Sequence, residues 1–334
     1  MCLPVYNGFE RVRRSSFEVK PDKGFAIMNY PDFYNPERGE TLYQPDIAAA
    51  IEEGLRTQCN PAKDDDPRVL LLLIDAQVDF IHKEGSLSVP GAVEDTRRTI
   101  EWLFRNTERV TAVIASLDSH NPIHIFFPTW WVDQQGNPPE PFTAITLEGV
   151  EKGTWKPLFE RDWSFEYIRF LQEVAKKELM IWPYHTMIGT PGHALSPALY
   201  EAIVYHAAAR QTAPEFVIKG TIAKTEYYSI LEPEVKVPKD PEGVLNEALL
   251  NRLLSFDAIY IAGQAKSHCV LETLASVVRR YGDQPEVLGR FHLLIDCTSS
   301  VHHPEIDFEL IADETYARFE AQGLKLVRST DPVA

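Results

Sequence analysis

The 334-residue chain is poor in cysteine, in positive charge and in long apolar runs, and each shortage removes a class of function. Its four cysteines, Cys2, Cys59, Cys269 and Cys297, stand at wide, irregular spacing with no CxxC pair. That pattern argues against a disulfide framework and against a cysteine-rich metal module. No secretory apolar segment follows Met1, so a reducing cytosol is the expected compartment. The longest apolar run, Val69 to Ile74, falls far short of the ~20 residues a membrane helix needs and reads as a buried strand. Lys and Arg number 33 against 49 Asp and Glu, a formal charge of −16. Such a surface repels phosphate backbones and anionic lipid, so neither nucleic acid nor membrane is an expected partner, and a small molecule is. No internal repeat is found.

What the chain does have is enough apolar side chain for one large core, or for one domain with a sizeable extension. Residues 1–66 are rich in Tyr, Pro and charge, with one helix expected after Asp46 (IAAAIEEGL), and read as an N-terminal extension. Residues 67–334 read as the main domain. There, short Leu-rich or β-branched runs alternate with amphipathic stretches, the pattern of an α/β fold: a mostly parallel sheet of roughly six strands covered on both faces by helices. The expected strands are Val69 to Asp75, Val110 to Asp118, Phe216 to Lys219, Ala258 to Gly263, Phe291 to Asp296 and Leu324 to Arg328. Ser196 and Pro197 open a helix that runs to Arg210, Gly282 closes one that starts at Cys269, and Gly323 closes one that starts at Pro304. An insertion at about 128–177, with a helix from Phe165 to Lys177, leaves two readings, a lid or an oligomer contact. The Pro233 to Glu242 stretch reads as a solvent loop.

The reactive side chains cluster at one end of these elements. Asp75, Asp118 and Lys219 each end an expected strand, and Cys269 follows one by six residues at the start of a helix. In an open α/β sheet, ligands bind in the crevice beyond the carboxyl ends of the strands, so these four groups would converge there. A helix N-terminus favours a thiolate at Cys269 and offers N–H groups to an oxyanion. Lys219 follows the apolar run Phe216 to Ile218, so its ammonium would emerge at the edge of a core, where it would hold the sulfur ionised while Asp75 moved the proton. Asp118 and His120 lie two residues apart past a strand, with His124 four further on and His185 in IWPYHT, a borderline donor set for zinc, iron or manganese. Singly, each has an ordinary reading: a buried structural cysteine, a surface lysine, an aspartate capping a loop, a loop hydrogen bond in Asp-x-His.

At these residues the sequence resembles the nicotinamidase family within the isochorismatase-like cysteine hydrolases. The segments that carry the likeness are LLLIDAQVDF with GSLSVPGA, SLDSHNPIHIFF, IWPYHTMIGTPG, VIKG with EYYS, and AGQAKSHCV. The resemblance implies Cys269 as nucleophile, Asp75 as general acid and base, and Lys219 as third member of the triad. It implies one divalent metal, zinc first and iron or manganese as alternatives, on Asp118, His120 and His185, with His124 a ligand in some members only. In nicotinamidases the metal orients the ring through the pyridine nitrogen. Phe80, Trp182 and Tyr228 match pocket residues, and a cis peptide at Gln264–Ala265 would aim the N–H groups of Ala265 and Cys269 at an oxyanion. Thr186, Lys266 and Ser267 depart from the commoner residues, which touches the substrate more than the chemistry.

The expected reaction is deamidation of nicotinamide to nicotinate and ammonia through a thioester, a step of NAD salvage, in a cytoplasmic homo-oligomer. Another small amide or ureido compound is the alternative. Vinyl-ether hydrolysis of the isochorismatase type is disfavoured by the retained Cys269, and a non-catalytic binding or scaffold member is the reading from a different class.

Overall fold

The computed structural model describes residues 30–175 and 177–333; the rest of the expected extension, residues 1–29, lies outside them. The expected strands are all present, within a residue or two of their expected ends. They are β1 (Val69–Ile74), β2 (Val110–Asp118), β3 (Glu215–Lys219), β4 (Ala258–Gly263), β5 (Phe291–Leu294) and β6 (Lys325–Val327). They form one sheet in the order β6-β5-β4-β1-β2-β3, and every neighbouring pair is parallel. In β1 the period-two alternation splits the apolar side chains between two cores. Leu71 and Leu73 face one and Leu70, Leu72 and Ile74 the other, all fully buried, and each contributes ~1.5–3 kcal/mol.

Helices cover both faces. On one side lie α2 (Ala92–Arg105) and α4 (Pro197–Arg210). On the other lie α5 (Glu247–Leu253), α6 (Leu271–Tyr281) and α7 (Phe308–Ala321). Helix α7 starts four residues later than expected, because the Asp307 carboxylate accepts from Leu310 N and caps the first turn there. Before α4, Ser196 holds the capping position without a side-chain capping bond; its hydroxyl lies 3.5 Å from His82 Nε2 instead. The chain enters the sheet at β1, winds outward through β2 to the β3 edge, then crosses back to β4. Between β1 and β4 the winding direction reverses, the place where an open α/β sheet leaves a crevice.

Residues 30–66 lie against this body. Their helix α1 (Ile47–Arg56), capped by Asp46 through Ala49 N at 3.0 Å, packs on α4. The approach is close at Gly54, where a Cβ would collide with the Tyr205 carbonyl oxygen. Arg210 of α4, fully buried, pairs with Asp65 and donates to the Asn60 carbonyl.

The insertion contains α3 (Arg161–Phe170), which begins earlier than expected and runs into a π-helical turn at Leu171–Ala175. Two short antiparallel ladders, Trp131–Val132 with Lys156–Pro157 and Ala144–Ile145 with Leu179–Met180, frame its own core of Trp130, Trp131, Ile145, Tyr167 and Ile168. The stretch from Pro233 to Glu242 is a solvent loop only in its second half, where Pro238, Lys239, Pro241 and Glu242 are exposed; in the first, Pro233, Val235 and Val237 alternate inward and are buried, while Thr225 Oγ1 donates to Val235 O at 2.9 Å. No helix among the described residues is long and apolar enough to cross a membrane.

Candidate active site

The carboxyl ends of β1, β2 and β3 deliver Asp75, Asp118 and Lys219 to one point, with Asp118 and Lys219 directly paired in register. Lys219 Nζ lies 2.9 Å from Asp75 Oδ2, 2.9 Å from Asp118 Oδ1 and 3.7 Å from Cys269 Sγ, and donates to the Tyr227 carbonyl at 2.8 Å. All of these side chains are buried. Asp75 is fixed by its neighbour on β2: Ser116 Oγ donates to its Oδ1 at 2.6 Å and accepts from its backbone N at 2.9 Å. Its other oxygen, Oδ2, has the ion pair with Lys219 but no hydrogen bond. Burial pushes the Asp75 carboxyl up, against the pull of Lys219. Lys219 itself is held well above the ordinary lysine value; burial opposes this, but Asp118 and Asp75 outweigh it.

Cys269 departs from the expectation in one respect. It lies in a π-helical turn, Lys266–Val270, ahead of α6, and its thiol is pushed well above the usual range. Burial is the main cause; Lys219 opposes, and the carboxylates of Asp75 and Asp118 add to it. Burial thus favours the thiol over the thiolate at Cys269. The Gln264–Ala265 peptide is cis, and Ala265 lines the same cavity as Cys269.

Asp118 reaches from this cluster into a second. Its Oδ2 lies 2.7 Å from His120 Nε2 and 3.6 Å from His185 Nε2, and the three residues offer ligand atoms within 4.8 Å of one another. The two imidazoles are oriented by carbonyls, His120 Nδ1 to Gly220 O at 2.9 Å and His185 Nδ1 to Pro183 O at 2.7 Å. A carbonyl only accepts, so each Nδ1 carries the proton and each Nε2 turns its lone pair toward Asp118. A cation, proton or divalent ion, has to stand between such groups, and one carboxylate with two neutral imidazoles fits zinc, iron or manganese. His124 is not in this group. Its Nε2 lies 3.0 Å from Gly220 O, its buried Nδ1 has no partner, and burial lowers its pKa well below the usual histidine value.

No family model matches the chain. In sequence it is 24% identical over 237 residues to the nicotinamidase of Saccharomyces cerevisiae, a match spanning 66% of this chain and 92% of that protein. Among solved structures, the yeast nicotinamidase superposes with a TM-score of 0.52 at 21% identity, covering 78% of this chain and 99% of that one. An Acinetobacter baumanii nicotinamidase and pyrazinamidase gives 0.51 at 18% identity, covering 80% and 99%. The chain is thus similar in sequence to a nicotinamidase and shares the fold of solved nicotinamidases.

In this chain the sulfur and the donor set open into one narrow cavity of about 40 Å³. Phe80, Trp182 and Tyr228, the three expected wall residues, all line it. Leu87, Phe126, Glu226, His268 and Val301 line it too, and were not expected. Among these, Phe126 had a local signal, its place in the same SLDSHNPIHIFF segment as Asp118 and His120. The insertion supports this wall from behind: its core is continuous with Phe126 and Trp182, and Phe142 meets Trp182 edge-on at 5.9 Å. A larger cavity of about 1150 Å³ lies between α3 and residues 229–236, but none of the reactive residues line it.

Three backbone-fixing residues were also missed. Gln77 accepts from Asp118 N and donates to Asp118 O, both at 2.8 Å. Asp79 accepts from Thr186 N at 2.7 Å, beside His185. Gly220 has φ +79, and a Cβ there would stand 2.6 Å from His120 Cε1 and 2.7 Å from Asp118 Oδ1.

Proposed function

We propose that the protein is a metal-containing amidohydrolase that deamidates nicotinamide to nicotinate and ammonia, with Cys269, Asp75 and Lys219 as its catalytic triad. The observation that carries this reading is one sulfur, one ammonium and one carboxylate at hydrogen-bonding or ion-pair range, beside an Asp-His-His donor set, in a small cavity lined by aromatic side chains. Asp75 takes the Cys269 proton through Oδ2, the oxygen with no hydrogen bond of its own. The thiolate, screened by Lys219, attacks the carboxamide carbon, and the N–H groups of Ala265 and Cys269 receive the oxyanion. Asp75 returns the proton to the leaving nitrogen, and ammonia departs. Water then adds to the thioester with Asp75 as base, which frees the acid and restores the thiol.

Asp118, His120 and His185 would hold one divalent ion, zinc in the first place, which when bound supplies a Lewis-acidic partner for a ring nitrogen. Phe80 and Trp182 flank the ring, and Tyr228 closes the pocket. The yeast nicotinamidase has been solved bound to the inhibitor nicotinaldehyde, an aldehyde on the same kind of ring. By this reading the protein acts in the cytoplasm, in NAD salvage, as a homo-oligomer, with residues 67–334 as the hydrolase domain and 1–66 as its extension.

The test is ammonia release from nicotinamide by wild type and Cys269→Ala, alongside a panel of other small amides and ureides. Turnover of nicotinamide that vanishes in the variant supports the reading. Turnover of a ureide with none of nicotinamide replaces the substrate and keeps the chemistry.

A further inference from the structure

Glu226 has no part in the mechanism above, yet it is buried and lines the same cavity as Cys269. Its Oε1 accepts two hydrogen bonds, from Trp182 Nε1 at 3.0 Å and from the Tyr228 hydroxyl. Trp182 Nε1 also lies 3.1 Å from that hydroxyl oxygen, so the three polar atoms close a triangle. Trp182 and Tyr228 are 46 residues apart in the chain and form neighbouring walls of the cavity, each holding the His268 ring at 5.4 Å. In so tight a cavity, the separation of these walls decides what enters. We propose that Glu226 is a positioning residue that sets the distance between Trp182 and Tyr228 and thereby the affinity for planar ring amides. The substrate class rests on the amidohydrolase reading; the clamp itself does not.

The surroundings make the clamp responsive to protonation. Tyr167 of α3 accepts from Glu226 N at 3.0 Å, and Tyr228 and Trp182 face the carboxyl directly. The nearby charges are Glu234 and Lys177, and Lys177 is paired with Glu234 at 2.8 Å and with Glu272. Among the described residues Glu226 therefore has no ion pair of its own. Burial raises its carboxyl to about 7, with the Tyr228 and Trp182 hydrogen bonds and Lys177 opposing and the charge of Glu234 adding. The ionised form accepts from N–H and O–H more strongly than the acid, so the walls tighten as pH rises through this range.

The experiment is steady-state turnover of nicotinamide between pH 6 and 8 by wild type, Glu226→Gln and Glu226→Ala, with tryptophan emission followed over the same range and Trp182→Phe as the spectral blank. Wild-type KM should fall severalfold with rising pH, and Glu226→Gln, which keeps an uncharged acceptor, should give a flat profile. Glu226→Ala should raise KM about tenfold with kcat within about threefold of wild type. The Trp182 emission should titrate near neutrality in wild type and not in Glu226→Gln. A Glu226→Gln enzyme with the wild-type pH profile and a titrating Trp182, or one as impaired as Glu226→Ala in kcat and KM together, would overturn the proposal. Should wild type release no ammonia from nicotinamide, the substrate reading fails, while the emission titration still decides the clamp.

Discussion

Asp118 and Lys219 face each other across the β2–β3 pair, and the 2.9 Å contact between them joins two sites that would otherwise be separate. Through one carboxylate the ammonium beside the Cys269 sulfur is tied to the donor set of His120 and His185. Lys219 also compensates Asp75, so its removal leaves two buried carboxylates with no cation between them. Lys219→Met should lose ~3–5 kcal/mol of unfolding free energy in a urea titration. Asp75→Asn removes one charge of an acidic pair and should unfold close to wild type while releasing no ammonia. A stable, active Lys219→Met protein would contradict the arrangement.

The donor set separates His124 from the histidines around it. Elemental analysis of purified variants should find metal content reduced at least ~10-fold in His120→Ala and His185→Ala, and retained in His124→Ala. Equal loss in all three would put His124 back among the ligands.

Gly220 supplies the carbonyl that orients both His120 and His124, and it leaves no room for a methyl group against Asp118 and His120. Gly220→Ala adds backbone strain at φ +79 to that collision. We expect a stability loss of ~1–3 kcal/mol by thermal unfolding, and weaker metal retention on dialysis against a chelator. Unchanged retention would mean that the loop yields without disturbing the ligands.

The ends of β1 and β3 were legible because the apolar run stops abruptly at a charged residue, LLLLI at Asp75 and FVI at Lys219. The supporting residues were not. Ser116, Gln77 and, toward Trp182, Glu226 act through partners about forty residues away in the chain, and local pattern carries no record of such contacts. The Cys269 turn was misread for a related reason. Helix-terminus chemistry favours a thiolate, but the burial and the two carboxylates that outweigh it exist only once β1, β2 and β4 are side by side. In residues 233–237 the alternation of buried and exposed positions was present, masked by prolines and charge.

Glu226 gives stability a pH dependence whose sign is opposite to that of a salt-bridged carboxylate. Its pKa is raised from 4.5 to about 7, so the folded state binds the proton more tightly than the unfolded chain does. Its contribution is complete below the unfolded value and is lost as pH rises toward and past 7. At ~1.4 kcal/mol per unit, the interval bounds the effect near ~3 kcal/mol. Relative to wild type, Glu226→Gln should therefore melt at a higher temperature at pH 8 than it does at pH 5. Parallel melting curves at the two pH values would remove Glu226 as the source.

Helix α4 has the sheet on one side and α1 on the other, and its Glu201 and Arg210 find their partners in residues 43–65: the Tyr43 hydroxyl and Asp46 N for Glu201, Asp65 and the Asn60 carbonyl for Arg210. A protein trimmed to start at Pro67 would keep every reactive group and still be unsound. It would bare an alanine-rich helix flank to water, take from Glu201 its two hydrogen bonds and from Arg210 its ion pair, and invite self-association. For anyone dissecting this protein, that flank, and not the chemistry, should decide where the chain can be cut.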